Sequence, residues 1–477
     1  MRPKYIAYII WTIIALLGVV CLVVPENGFS IGQWTLRWPT LTEALDLEED
    51  SITEFEVETP NDSLLVESIV KQDTLRAKDS VQKKPQPIIP DVSTPHNDSR
   101  AYLIAFYAAL DSATSMPVRV VHYGDSQIEE DRITNILREQ WQKEYGGGGV
   151  GLIPLHQTIP TRSIRQWISI DNKVQSIQGG PKRYLVYGPR SMRLEGDEYG
   201  VMGQVAVMDS TFVAASENIV MNIEPIDKKR KPHNYFNRLR VLTDSIEGYV
   251  LTKDTTLHHT TKSYTTLHYT LPDSCERCEI HLKGKGYVYG VSLETPTGVI
   301  VDNIPMRGCS GNIFTKIDST QLSNFYRETN TRLIILQFGG NMIPQTENPS
   351  TISGYVLSTM RQQIRYIRAC APQASILFVG PSDMSTSIDG QMTTYPLLPY
   401  MDKLLKKMAT EEQIAYWSMY EAMGGKDSMV RWVENGLAGS DYVHFTRSGA
   451  NKIGKTLYEW LMTYQPDSLN TKLQTRN

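Results

Sequence analysis

The sequence predicts an α/β fold with a parallel sheet, interrupted by an inserted all-β sandwich and preceded by a transmembrane helix. Three observations carry this. Buried-strand patterns alternate with helical ones over residues 99–160 and again over 298–466. Between them, 161–297 holds short β-rich segments separated by turn residues, without a long helical pattern. At the N-terminus, Tyr5 to Pro25 carries no charge and follows Arg2 and Lys4. Alternation of strand and helix implies parallel strands with helices on both faces.

Residues 1–27 are long enough to span a bilayer, and basic residues before the run keep that end in the cytoplasm. The remainder is then expected across the membrane. A cleaved signal peptide is the rival reading, but no A-x-A-like site follows the run. Residues 28–98 turn acidic and then rich in Pro, Gln, Ser and Lys, with no sustained apolar period. They read as a juxtamembrane segment and tether. Residues 467–477 read as a tail.

Asp98 and Ser99 are placed to cap a helix through RAYLIAFYAALDSA. PVRVVHY then reads as the first buried strand, ending in Gly124-Asp125-Ser126. A helical pattern, IEEDRITNILREQWQKEY, follows at once, which sets Ser126 at the positive end of a helix. The run Gly146-Gly147-Gly148-Gly149 lacks the Lys-Ser/Thr of a phosphate loop and reads as a flexible turn. Over 161–297, segments such as RSIRQWISI, NIVMNIEP, RLRVLTD, GYVLTKD, CEIHLKG and YVYGVSLE have the spacing of a β-sandwich. Strands are then expected at VIVDN, RLIILQF, SILFVG and IAYWSM, with helices near 353–370, 396–412 and 448–464.

With a formal net charge of −4, the chain offers no basic surface for nucleic acid. Five cysteines are too few for a disulfide framework. Cys275 and Cys278 form a CxxC without a second pair, so zinc is not expected; structural thiols or a disulfide or redox pair are the readings. His258, His259 and His268 lack acidic or cysteine partners at ligand spacing and read as strand residues. No metal or cofactor is implied.

A serine hydroxyl is a weak nucleophile and needs a base oriented by a third group. Asp441 and His444 stand three apart, in a loop expected just before the last helix. There Asp441 accepts from one imidazole nitrogen and His444 takes the Ser126 proton with the other. An oxyanion needs N–H donors. Asn341 follows the strand RLIILQF, Gly308 follows the strand at 299–303, and the Ser126 backbone supplies a third. Gly124-Asp125-Ser126-Gln127-Ile128 is not the G-x-S-x-G elbow, which argues against an α/β-hydrolase.

These four stretches, in this order, resemble the SGNH, or GDSL, hydrolases over roughly residues 100–160 and 298–465. The resemblance implies a three-layer α/β/α, flavodoxin-like domain, with Ser126 as nucleophile, His444 as base and Asp441 as its orienter. It also implies an oxyanion hole of Ser126, Gly308 and Asn341. The sequence departs from the usual pattern at Gln127, where Leu is frequent, and at Met342, where Asp is frequent. An anchored domain of this kind with a β insertion also resembles bacterial peptidoglycan or polysaccharide O-acetylesterases. That implies an acylated glycan as substrate, most simply an O-acetyl ester, and a single-pass inner-membrane protein facing the periplasm. Arg307 and Trp167 are substrate-binding candidates; Tyr184, Tyr187 and Tyr235 are further aromatics that can stack on sugars or simply pack the insert. An O-acetyltransferase using the same triad and a non-catalytic glycan-binding protein are the alternatives.

Overall fold

The computed structural model describes residues 98–464, apart from short internal stretches (171–172, 175–180, 197, 209–218, 227–230, 254, 259–260 and 264–265), with Val92 and the segments 29–31 and 34–36. The expected anchor (1–27), most of the tether (28–98) and the tail (467–477) lie outside the described residues. Among those described, no helix is long and apolar enough to cross a membrane. The chain divides into two units, Met1–Pro85 and Gln86–Asn477. In the first, Phe29–Ile31 pairs antiparallel with Trp34–Leu36.

The second unit is built on five parallel strands: β1 (Pro117–Gly124), β2 (Gly298–Pro305), β3 (Thr331–Gln337), β4 (Ser375–Val379) and β5 (Ala415–Trp417). Their order is β2-β1-β3-β4-β5. The order reverses between β1 and β3, and open α/β sheets bind ligands at that point, outside the carboxyl ends of the strands. Side chains alternate across the sheet as the period of two requires. Val118, Val120, Leu333, Ile335, Leu377 and Val379 face one apolar cluster. Val121, Tyr123, Ile334, Leu336, Ile376 and Phe378 face the other. Helices α1 (Ile104–Leu110), α2 (Thr134–Tyr145), α3 (Ser319–Glu328), α4 (Leu357–Cys370), α5 (Leu398–Glu411) and α6 (Arg447–Met462) complete the domain. Residues of α1, α2 and α6, such as Phe106, Leu137 and Leu457, join the first cluster. Residues of α3, α4 and α5, such as Leu322, Ile364 and Leu405, join the second. The result is three layers.

The helix expected directly after Ser126 begins later. Ser126–Asp131 is a 3₁₀ segment broken by Glu130 (φ 60°, ψ 8°), and α2 starts only at Thr134. Asp131 is also left-handed, at φ 62°. Two consecutive non-glycine residues in that region cost about 1–2 kcal/mol each. Ion pairs hold them there: Asp131 with Arg138, and Glu130 with Arg132 and Arg162. The macrodipole of α2 therefore does not start at the serine.

The all-β segment is antiparallel and connected by hydrogen bonds throughout, and its strands are longer than the sequence suggested. RLRVLTD and GYVLTKD are halves of a single strand, Phe236–Leu251, and CEIHLKG and YVYGVSLE are halves of another, Cys278–Glu294. The two pair along their length with register shifts at Leu242/Thr243 and Asp244/Ile246. Such bulges bend a sheet, and residues from both long strands, including Leu239, Val250, Ile280 and Val291, face a common apolar core. This sheet starts before residue 161, because Gly151–Ile153 pairs with Val291–Leu293.

The two sheets are joined by buried charges. Arg119 on β1 donates to Asp302 on β2 at 2.7 Å and to Glu294 of the antiparallel sheet at 2.8 Å. Asp302 also accepts from Leu152 N–H at 2.8 Å. Removing one partner from such a network typically costs about 3–5 kcal/mol, because a charge is left buried alone. Of the glycine run expected to be flexible, Gly147, Gly148 and Gly149 pack tightly at this junction, while Gly146 has open space around it. A Cβ on Gly149 would lie 2.1 Å from the Leu293 carbonyl, and its φ is +74°.

Cys275 and Cys278 are free thiols. Burial pushes Cys275 up to about 11 and Cys278 further in the same direction. Both are therefore poor thiolates. Among the described residues no group of His, Cys, Asp and Glu is placed to hold a metal.

Candidate active site

Ser126 follows β1 at the carboxyl edge. Asp125 is the turn residue before it, and its Oδ1 accepts from the Gln127 N–H at 3.0 Å. This caps the 3₁₀ segment that presents the serine. His444 reaches the same edge from a loop between Trp432 and α6. A β-bridge of Ala438 with Phe445 and a Gly439 N–H donated to the His444 carbonyl at 2.8 Å close that loop. Phe445 is buried against Trp432, with ring centroids 5.3 Å apart. Burying the neighbour fixes the loop while leaving the imidazole at the surface.

Ser126 Oγ lies 2.8 Å from His444 Nε2, and His444 Nδ1 lies 2.7 Å from Asp441 Oδ2. Asp441 Oδ1 accepts from the Val443 and His444 N–H groups at 2.9 and 3.0 Å. Burial acts to raise the Asp441 carboxyl, but the His444 ring and those two N–H groups outweigh it and hold it at about 2. An ionised Asp441 makes Nδ1 the protonated nitrogen and leaves Nε2 to accept from the serine hydroxyl. The sequence-predicted nucleophile, base and orienter are thus brought together.

Asn341 lies on a 3₁₀ turn, Gly340–Met342, directly after β3. Its Nδ2 donates to the Cys309 carbonyl at 3.1 Å and faces Asp125 Oδ2 at 3.4 Å. That contact draws the loop carrying Gly308 toward the same edge. Gly308 has φ +73°, and a Cβ there would meet nothing within 4 Å. Glycine is thus required there by conformation, not by space. Both Asn341 N–H groups have partners in this structure, so donation to an oxyanion requires the longer contact, to Asp125, to give way.

Ser126 and Asn341 line one shallow cleft with Gln127, Gln337, Phe338, Pro381, Ser382, Met384 and Met419. Arg307, Gly308 and Trp167 are not among its lining residues. Arg307 is exposed and pairs with Glu129 at 3.6 Å. Trp167 sits half-buried in the antiparallel sheet opposite Asn222, and no contact with the cleft is found.

Gln127, seen in the sequence only as a departure from Leu, is buried. Its Nε2 donates to the Val443 carbonyl at 2.5 Å and to Ser382 Oγ at 3.3 Å. Asp125 is also buried, and burial pushes its carboxyl up to about 6 against the opposing pull of the Gln127 N–H and His444. Glu129 carried no signal in the sequence; it looked like one more polar residue on a helix.

No protein-family model and no curated protein matches the chain. Among solved structures, the chain shares its fold with a peptidoglycan O-acetylesterase: TM-score 0.59, 19% identity, covering 80% of this chain and 99% of that one. Shorter stretches resemble an acetyl xylan esterase (TM-score 0.26, 11% identity, 34% of this chain and 80% of that one). A phospholipase A1 from Streptomyces albidoflavus is similar over 33% of this chain and 78% of its own (TM-score 0.26, 13% identity).

Proposed function

We propose that the protein is a serine esterase of the SGNH type that removes a small acyl group, such as O-acetyl, from a glycan. The observation that carries this is the unbroken chain from Ser126 Oγ through His444 to Asp441, at 2.8 and 2.7 Å. Ser126 Oγ attacks the ester carbonyl as His444 Nε2 takes its proton. The tetrahedral oxyanion is met by N–H groups of Ser126, Gly308 and Asn341. His444 then returns the proton to the leaving alcohol oxygen, and an acyl-serine forms. Water, deprotonated by His444, attacks that ester, and the acid and free serine are released.

The small cleft beside the serine, lined by Phe338, Pro381, Met384 and Met419, supports a short acyl group. The likeness in fold to a peptidoglycan O-acetylesterase, over 80% of this chain, supports a glycan as the alcohol half. The apolar N-terminal run supports a single-pass inner-membrane anchor with the enzyme in the periplasm. Ser126→Ala tests the reading. Acetate release from para-nitrophenyl acetate and from acetylated cell-wall glycan is expected to fall by at least about 10³-fold with the circular-dichroism spectrum unchanged. Activity retained in the variant excludes the mechanism.

A further inference from the structure

An ester has two halves, and the surroundings of Ser126 differ on its two sides. On the β3–β4 side lies the largely apolar cleft of Phe338, Pro381, Met384 and Met419. It suits an acyl chain. On the β2 side stand Glu129 and Arg307, outside that cleft.

Glu129 is held beside the catalytic base. Arg132 Nε donates to the Glu129 carbonyl at 3.0 Å, and the same guanidinium reaches the carbonyl of Phe445, next to His444, at 3.4 Å. The left-handed Glu130 and Asp131 end the 3₁₀ turn at this point. Glu129 is 9% exposed overall. Its carboxylate has no hydrogen-bond donor among the described residues; its one ion pair is with Arg307, at 3.6 Å. Arg307 is itself 57% exposed. The Glu129 carboxylate oxygens are not among the fully buried polar atoms, so a donor from outside the protein can reach them. Burial raises the Glu129 carboxyl, with Arg307 opposing. This largely covered but reachable acceptor sits three residues after Ser126.

We infer that Glu129, together with Arg307, forms the subsite for the alcohol half of the ester, and that this half carries hydrogen-bond donors near the ester oxygen, as a sugar with free hydroxyl or amide N–H groups does. The inference rests on the esterase reading and adds which side of Ser126 holds the leaving group. Glu129 accepts from a sugar hydroxyl or amide N–H, while Arg307 donates to a sugar oxygen or amide carbonyl. The strained turn is then what places an acceptor beside the departing alcohol.

The test compares two acetate esters with the full chain: an O-acetylated methyl glycoside of N-acetylglucosamine, and para-nitrophenyl acetate, whose leaving group has no donor beside the ester. Glu129→Ala is expected to lower the kcat/KM ratio of sugar ester to aryl ester by at least about tenfold, as loss of a charge-assisted hydrogen bond would. Glu129→Gln keeps an accepting oxygen and the side-chain volume, and recovers part of that ratio. Arg307→Ala lowers the ratio in the same direction. An unchanged ratio in all three variants overturns the inference. If the wild-type chain hydrolyses neither ester, the esterase reading fails, and the subsite is judged by binding of the unacetylated methyl glycoside, followed by NMR. Shifts present in the wild type and lost in Glu129→Ala keep the subsite; no shift in the wild type removes it.

Discussion

Gln127 Nε2 donates to the Val443 carbonyl at 2.5 Å, so the residue after Ser126 holds the residue before His444. The two lie 316 positions apart in the chain. One buried amide therefore sets the approach of His444 to Ser126.

Gln127→Leu, the residue frequent at this position in the resembled family, tests that tie. Leucine fills similar space but leaves the Val443 carbonyl and Ser382 Oγ without their donor. The variant is expected to lose about 1–3 kcal/mol of stability. Its kcat should fall about ten- to a hundredfold with KM little changed, because the base is displaced and not the substrate. Thermal melting and steady-state kinetics on an aryl acetate measure both; an unchanged kcat breaks the link.

Asp441→Asn keeps the shape of the orienter and removes its charge. The amide can present an N–H to His444 Nδ1 and so favour the wrong tautomer. A loss of about 10³–10⁴-fold in kcat is expected. The Asp441 carboxyl is held at about 2, so it is ionised throughout the working range, and the acid limb of the wild-type pH–rate profile belongs to other groups. Its contribution to stability is present above the unfolded carboxylate range, near 3.9, and is lost as pH falls toward about 2.

Asn341→Ala tests the oxyanion donor. Removal of one such donor typically costs about 10²–10³-fold in kcat. The effect should appear in kcat and kcat/KM alike, since the charge it meets exists only in the transition state. A rise in KM with kcat unchanged would place Asn341 outside the reaction centre.

Asp125 carries a pH signature of opposite sign. Its folded carboxyl titrates at about 6, above the unfolded value near 3.9. The native state therefore binds the extra proton between those values, and its stability is reduced as pH rises through that window. Asp125→Asn retains an oxygen for the Gln127 N–H without the buried charge. It is expected to raise stability over wild type by about 1–2 kcal/mol near pH 8, a gain that closes as pH falls to about 4. Urea unfolding at the two pH values measures it. A gain that is equal at both would assign the effect to packing.

Much of the domain is readable locally. β1, β3 and β4 are short apolar runs bounded by turn residues, and buried strands need no more than that to be recognised. The Asp98 cap is also local, its carboxylate accepting from Arg100 N–H at 3.0 Å. The helix expected after Ser126 shows the limit. Its residues have helical pattern, yet Glu130 and Asp131 turn left-handed because Arg132, Arg138 and Arg162 meet their carboxylates there. The number of strands in the β-rich segment was hidden for a related reason. Bulges at Leu242/Thr243 and Asp244/Ile246 interrupt the alternation, so two strands read as four.

By itself, the sequence determined the strand-end serine, the Asp-x-x-His spacing, the glycine and asparagine after their strands, and the alternation that makes a parallel sheet. Each is a matter of residues a few positions apart, where period and backbone preference act. Only the tertiary structure decided that Ser126 and His444, 318 positions apart, stand 2.8 Å from each other. It also decided that Gln127 holds Val443 beside His444, that Trp167 is not among the residues lining the cleft, and that Glu129 is largely covered with Arg307 as its ion-pair partner. Those outcomes depend on strand order and on contacts between distant segments, and no local pattern encodes them.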